Sequence, residues 1–333
     1  MKKSFRGLRE VASSSVDRQR NLSESVAFFE NEVKTNLRES WRLRGGLNLL
    51  SYPSAQTKLA GLLLWKQALK MWFPYLLIYS ALLGAGCAMV SRGSALPDQK
   101  EIVREQLVIH SDFHLPRQHR ILNDLSARRH EIAAELEIPL SDEPIHVYLF
   151  QDEAKFREFM SRNQPAFPQR RAFFIKSDTK LTVYAFWGER VAEDLRHEVT
   201  HGYLHAVVPD IPLWMDEGIA EYFEVQRGLD GVNQPHIKLL ADAYRAADWR
   251  PNLSRLEQMD STVALTQLDY AESWLWIHFL LKTDAQTNGM VCRALQQYRV
   301  EGTSVPLSSQ VESWLPNWEE QVIAHLRSLA DGL

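Results

Sequence analysis

The chain has 333 residues, a formal net charge of −4 and an apolar content of 45%. It can bury one sizeable core with appendages, and its two cysteines exclude a disulfide framework. The charge is uneven: residues 1–70 hold 13 Lys and Arg against 6 Asp and Glu, a net of +7, so the remainder carries −11. A folded part this acidic argues against a nucleic-acid partner.

Residues 1–70 are predicted to be a basic cytoplasmic tail. Residues 1–58 are polar, basic and irregular in pattern, which is typical of a solvated segment. A short amphipathic helix over 25–43 is compatible with this composition. The alternative is an arm that binds a partner or anionic lipid.

An uncharged run of 21 residues, 71–91, follows the tail. As a helix it would span ~30 Å, the thickness of a bilayer core. Lys66 and Lys70 precede it, so the positive-inside rule places the N-terminus in the cytoplasm. We predict a transmembrane signal anchor, with the rest of the chain outside the cytoplasm. The alternatives are a lipoprotein anchored at Cys87 and a buried core helix.

After a predicted linker at 92–100 the chain alternates strand and helix patterns. Strand patterns occupy 102–109 and 145–150, with helical periodicity over 115–136 between them. A short helix at 153–160 then precedes two strands that form a hairpin, 172–175 and 181–187. Four more helices are predicted towards the C-terminus, at 235–247, 269–282, 290–300 and 310–330. These patterns predict an α+β domain over 101–333.

His197 and His201 lie four residues apart, and Glu198 stands between them. On a helix, positions four apart differ by only ~40° around the axis, so both imidazoles can hold one metal ion. Glu198 sits ~100° from His197 and can lean over the open side of that metal. This HExxH arrangement predicts a zinc site with Glu198 as the general base that takes a proton from water.

A catalytic zinc site needs a third protein ligand and one open position. The chain breaks at residues 209–212, PDIP, and continues as WMDEGIAEYFE over 214–224, which predicts a second helix folded back on the first. Glu217 on that helix is the predicted third ligand. Glu221 lies one turn later on the same face and suits a second-shell role, holding the free nitrogen of a ligand histidine. Because both carboxylates face the same way, Glu221 also competes for the ligand position.

The segments HEVTH and WMDEGIAEYFE resemble the gluzincin metallopeptidases, the clan of thermolysin and the aminopeptidase N group. The closest likeness is to bacterial peptidase-MA-like proteins, which carry a W-x-x-E-G-x-A-E-Y-F segment. The resemblance implies Zn²⁺ as cofactor and a zincin-like catalytic domain: a small mixed sheet, an active-site helix pair and a helical C-terminal lobe. That domain would stand behind the single N-terminal transmembrane helix.

Two further expectations come from this resemblance. Gluzincins present an antiparallel edge strand to extended substrate, and residues 181–187 occupy the corresponding place in this chain. The segment YAESWLWIHFL resembles the helix that supplies an assisting tyrosine in the aminopeptidase N group, which makes Tyr270 the candidate that stabilises the oxyanion. Ser273 and Glu272 stand where that group usually has Gly and Lys.

The expected function is a membrane-anchored, zinc-dependent peptidase that acts on a peptide or protein substrate. The alternative is an inactive or non-catalytic zinc-binding module that binds a cell-envelope partner. The presence of Glu198 beside the metal ligands favours the enzyme, since a pure binder has no use for a general base. Hydrolysis of a non-peptide amide or ester is a second alternative. No G-x-S-x-G, P-loop or dinucleotide motif occurs, and the sequence makes no prediction of oligomeric state.

Overall fold

A computed structural model describes residues 95–165, 167, 169–260 and 265–332. The predicted tail, the run 71–91 and Cys87 lie outside these residues. Within them, no helix is long and apolar enough to cross a membrane. Residues Ser91–Leu333 form one compact unit.

One five-stranded mixed sheet lies at the N-terminal side of this unit. Its strands stand in the order β1-β2-β3-β5-β4. The two inner pairs, β2 with β3 and β3 with β5, are parallel, whereas β1 and β4 pair antiparallel at the two edges. The strands are β1 Lys100–Arg104, β2 Leu107–Ser111, β3 Ile145–Phe150, β4 Ala172–Ser177 and β5 Lys180–Phe186.

Two strand predictions are wrong. The single strand predicted at 102–109 is a hairpin of β1 and β2, and Glu105 at its turn has a φ of 51°. No Gly or Asn marks that turn in the sequence. The strand predicted at 181–187 to be an edge, β5, lies inside the sheet between β3 and β4. The chain crosses over through the helix between β3 and β4, and β5 then pairs parallel to β3. Strand β4 pairs with the other side of β5 and forms the edge of the sheet.

The described residues contain ten helices. The helix Glu153–Asn163 packs against one face of the sheet, the helix Val191–His205 packs against the other face, and the later helices pack on one another. The mixed α+β class is therefore confirmed. The helix predicted at 310–330 is two helices, separated near Asn317, which adopts a φ of 56°. The helices are α1 Arg120–Glu135, α2 Glu153–Asn163, α3 Val191–His205, α4 Leu213–Glu224, α5 Gln234–Arg245, α6 Leu253–Leu256, α7 Gln267–Lys282, α8 Ala285–Glu301, α9 Leu307–Trp314 and α10 Trp318–Asp331.

Helix α7 is the centre of the helical part. Every residue from Asp269 to Leu281 is buried, as expected for a helix that is apolar around most of its circumference. Its buried charge is compensated: Glu272 accepts hydrogen bonds from Trp249 at 2.9 Å and from Arg255 at 2.7 Å. A Thr266–Asp269 capping box fixes its first turn.

Helix α4 approaches α7 closely, and a glycine makes the approach possible. A Cβ atom at Gly218 would lie 2.5 Å from the carbonyl oxygen of Ser273 and 2.8 Å from Cγ1 of Ile277. The loop after α4 is fixed in a similar way. Trp274 donates its indole N–H to the carbonyl of Gly231 at 2.8 Å, and a side chain at Gly231 would collide with the ring of Tyr222.

We expect Gly218→Ala to destabilise the protein by about 1–3 kcal/mol, because the added methyl group forces the two helix backbones apart. This loss should exceed the gain of about 1 kcal/mol in helix propensity. The measurement is chemical denaturation of the full-length protein. Gly332→Ala is the control, since its Cβ would meet its nearest neighbour at an ordinary 3.6 Å. Equal stability of the two variants would contradict the close approach.

Candidate metal centre

Helix α3 carries the HExxH motif and is built to hold it in place. Leu195, Val199 and Tyr203 on its buried face pack against the sheet and α1. Glu193 and Asp194 in its first turn stabilise the helix through a favourable interaction with the helix dipole. Gly202 brings the helix close to β3, since a Cβ there would lie 2.9 Å from the side chain of Ile145. The motif side chains are therefore directed away from the sheet, towards α4.

Three side-chain atoms converge between α3 and α4. The Nε2 atoms of His197 and His201 lie 3.2 Å apart, and Oε2 of Glu217 lies 3.5 Å and 3.6 Å from them. His201 and Glu217 are buried, and His197 is largely covered. The structure thus brings together the three residues predicted as metal ligands, in one group that can hold a metal ion.

The second nitrogen of each imidazole faces a carboxylate. Nδ1 of His197 lies 3.1 Å from Glu224, and Nδ1 of His201 lies 2.9 Å from Asp216. Carboxylates only accept hydrogen bonds, so the bond to Glu224 places the hydrogen of a neutral His197 on Nδ1 and leaves the lone pair on Nε2. The contact of His201 with Asp216 lacks hydrogen-bond geometry, but the negative charge of Asp216 favours the same tautomer. Both lone pairs therefore point towards Glu217, as in a metal-binding histidine pair.

Glu217 is the clearest indication that this group expects a cation. Its Oε2 atom is buried and receives no hydrogen bond of normal length from the described residues. An unpaired buried carboxylate oxygen is costly. Burial raises the pKa of Glu217, but His197 and His201 outweigh it and lower that pKa to about 2. A metal ion at the centre of the three atoms would satisfy all of them.

The carboxylates beside His201 and His197 also favour a cation at this position. Burial would lower the pKa of His201, but Asp216 and Glu217 raise it to about 10. The pKa of His197 is also raised, because Glu217 and Glu224 outweigh its burial. The negative charge of these carboxylates stabilises a cation here, which can be a proton on an imidazole ring or a divalent metal ion.

Glu198, the predicted general base, lies on the open side of the group. It is half-buried, and the same open cleft borders Glu198 and His197. Burial raises the pKa of Glu198, while the two histidines lower it to a smaller extent. Two groups of side chains among the described residues can hold a metal ion, the triangle described above and a second formed by His197, Glu221 and Glu224, and Glu198 belongs to neither. This placement fits a carboxylate that serves as a base beside the ion.

Tyr270, the predicted oxyanion donor, borders the same cleft from the first turn of α7. Its ring is buried, and its hydroxyl accepts a hydrogen bond of 2.8 Å from Arg170. Burial, together with the charge of Glu217, raises the pKa of Tyr270 to about 12. The phenol therefore keeps its hydrogen at neutral pH. Sequence reasoning did not find Arg170.

Glu221 pairs with Nε2 of His236 at 2.8 Å, and it is Glu224 that contacts the candidate ligand His197. Together with His197, these two carboxylates form the second group of side chains that can hold a metal ion. Glu224 also accepts a hydrogen bond of 3.0 Å from Asn233. Burial raises the pKa of Glu221, whereas the pKa of Glu224 is lowered because His197 outweighs burial.

The two carboxylates that face the ligand histidines were missed, although a signal for one of them is present. Glu217, Glu221 and Glu224 follow one another at helical spacings of four and three, on one face of α4. Glu224, the last of the three, reaches back to His197. Asp216 has no comparable signal, because its contacts with His201 and His205 depend on how α4 returns after the break at 209–212.

Comparison with known proteins gives a partial match to one family model and no activity. Residues 192–297 match the family described as protein of unknown function, DUF1570. The match covers less than half of the chain and includes α3, α4 and α7, the helices that carry His197, His201, Glu217 and Tyr270. The chain matches no curated protein.

We expect Glu224→Gln and Asp216→Asn each to weaken binding of a divalent metal ion about 10–100-fold, because each removes the charge that orients and polarises a candidate ligand histidine. Glu221→Gln removes a carboxylate that pairs with His236 and is not hydrogen-bonded to either histidine of the triangle, so it is the matched control and should change the affinity less. Competition against a chromophoric chelator gives the affinity. A larger loss for Glu221→Gln than for Glu224→Gln would restore the role predicted from the sequence.

Proposed function

We propose that this chain is a zinc-dependent peptidase of gluzincin type. The observation that carries the proposal is the triangle of His197 Nε2, His201 Nε2 and Glu217 Oε2, with sides of 3.2, 3.5 and 3.6 Å. Tetrahedral zinc with bonds of about 2.0–2.1 Å separates its ligand atoms by about 3.4 Å. The triangle therefore fits zinc with a fourth position open.

The donor set supports zinc over magnesium and calcium, which prefer oxygen ligands alone. Two imidazoles and one carboxylate also bind non-haem Fe(II), and it is the HExxH spacing on one helix that favours zinc. The mixed sheet, the packing of α3 against β4 and β5, and the helices that follow are consistent with the zincin-like domain implied by the sequence resemblance. The match to DUF1570 neither adds nor removes an activity.

The residues around the site supply the remaining parts of a hydrolytic mechanism. When bound, zinc lowers the pKa of a coordinated water towards about 7 and polarises the substrate carbonyl. Glu198 accepts the proton from the attacking water and passes it to the leaving amine. The pKa of Glu198 is raised towards neutral pH, which suits a carboxylate that first accepts a proton and then releases it. Tyr270 donates its O–H to the oxyanion that forms on the former carbonyl.

The cleft and the free strand edge suit an extended substrate. The cleft has a volume of about 970 Å³, at the upper end of the range for small-molecule sites, and its lining is mostly polar, with apolar contributions from Leu229, Val232 and Leu239. Strand β4 borders it at Ala172, and no strand among the described residues pairs with the outer edge of β4. We propose that β4, in place of β5, binds the substrate backbone by strand addition.

We expect Glu198→Gln to lower the rate of cleavage about 10²–10⁴-fold while the zinc content stays at one ion per chain, because the amide cannot accept the proton. The assay is release of fragments from labelled casein by the full-length protein. Glu193→Gln is the matched control, since Glu193 borders the same cleft on the same helix.

The outcome separates the two candidate functions. Zinc-dependent cleavage that Glu198→Gln abolishes and Glu193→Gln retains supports the peptidase. Stoichiometric zinc without cleavage of casein or of a panel of amides and esters would favour the non-catalytic zinc-binding module. Absence of zinc would contradict both.

We also propose that residues 71–91 anchor the chain in a membrane with the metal centre outside the cytoplasm. Because Lys66 and Lys70 precede this run, we expect a C-terminal alkaline phosphatase fusion in a bacterial host to be active and a green fluorescent protein fusion to be dark. Cys87→Ser distinguishes the two anchors: membrane association that this variant loses would indicate a lipoprotein. An active fluorescent fusion would contradict the orientation.

A further inference from the structure

We propose that Arg170 is a positioning residue that acts through Tyr270: it occupies the acceptor side of the phenol and so leaves the O–H to be donated into the cleft. The inference deepens the proposed function and rests on it. Arg170 would not contact the reacting atoms itself. Its effect would be seen only where Tyr270 is present.

The contact between the two side chains is double. Arg170 Nη2 donates to the hydroxyl oxygen of Tyr270 at 2.8 Å, and the guanidinium carbon lies 5.8 Å from the centre of the phenol ring. Both residues border the cleft that also exposes His197 and Glu198. The contact joins residues 100 positions apart in the sequence, and only the fold brings them together.

The direction of this hydrogen bond follows from the chemistry of the groups. A guanidinium has five N–H donors and no acceptor, so the phenol oxygen accepts and its own hydrogen must point elsewhere. Among the residues described by the structure, no acceptor lies within hydrogen-bond distance of that hydrogen. The Tyr270 O–H is therefore kept available for a group that enters the cleft.

The electrostatic surroundings favour a phenol that donates without ionising. Burial and Glu217 raise the pKa of Tyr270 to about 12, and Arg170 opposes them in part. The guanidinium polarises the phenol, which makes its O–H group a stronger hydrogen-bond donor. Burial keeps the phenol protonated.

The test is a double-mutant cycle on the full-length, zinc-loaded protein. Tyr270→Phe should lower kcat about 10²-fold, as for loss of one oxyanion donor. Arg170→Met should lower kcat about tenfold with little change in KM, because orientation of the donor matters most in the transition state. In the Tyr270→Phe background, Arg170→Met should change kcat less than about twofold.

Two matched variants isolate the contact from a general effect of charge. Arg245 lies outside the lining of the cleft and pairs with Asp242, so Arg245→Met removes an equal charge without touching Tyr270. It should leave kcat unchanged. Arg170→Lys keeps one donor and the charge, and it should recover part of the loss. Additive effects of Arg170→Met and Tyr270→Phe would overturn the inference and assign Arg170 a direct contact with substrate.

A second readout does not depend on turnover. The zinc-directed anion N-phosphoryl-Leu-Trp presents tetrahedral oxygen acceptors, and its affinity can be measured by calorimetry. The affinity should fall in Arg170→Met only when Tyr270 is present. The zinc content and the activity of Glu198→Gln test the proposed function. The two double-mutant cycles, one on kcat and one on inhibitor affinity, test the role of Arg170. An unchanged affinity and an unchanged kcat in Arg170→Met would overturn the inference even if the protein is a peptidase.

Discussion

The close packing of α4 between α3 and α7 is the constraint on which the candidate site depends. Gly218 allows one side of α4 to contact the backbone of α7, and the other side presents Glu217 to the two histidines of α3. A wider separation of α4 and α7 would move Glu217 with respect to the imidazoles. The ligand triangle is thus a consequence of helix packing, and a single missing Cβ sets its dimensions.

Charge balance is the second constraint. Asp216, Glu217 and Glu224 are carboxylates held in or near the buried region around only two ligand imidazoles. Burying unpaired charge costs several kcal/mol for each ion in real proteins. A divalent cation held by His197, His201 and Glu217 would offset that cost, so binding of such an ion would also stabilise the fold of this region. Asp216 and Glu224 also contact the histidines, so they contribute both to the stability of this region and to the candidate metal site.

The local chemistry of the site could be predicted from the sequence, because it resides in short spacings. The i, i+4 pair of histidines and the return of a helix carrying Glu217 required only helical geometry and a chain break. What could not be predicted depends on contacts distant in sequence. The Arg170–Tyr270 hydrogen bond spans 100 positions, and the position of β5 inside the sheet follows from strand order, which hydrophobic patterns do not encode. The turn at Glu105 was missed because a residue without turn preference adopts a positive φ there.

The loop that follows α4 forms one wall of the cleft, and its backbone has little freedom to move. The indole of Trp274 holds the carbonyl of Gly231, and the Tyr222 ring excludes any side chain at that glycine. Leu229 and Val232 project from this fixed wall. Substitutions at these two positions can therefore alter the apolar lining one side chain at a time, without moving His197, His201 or Glu217.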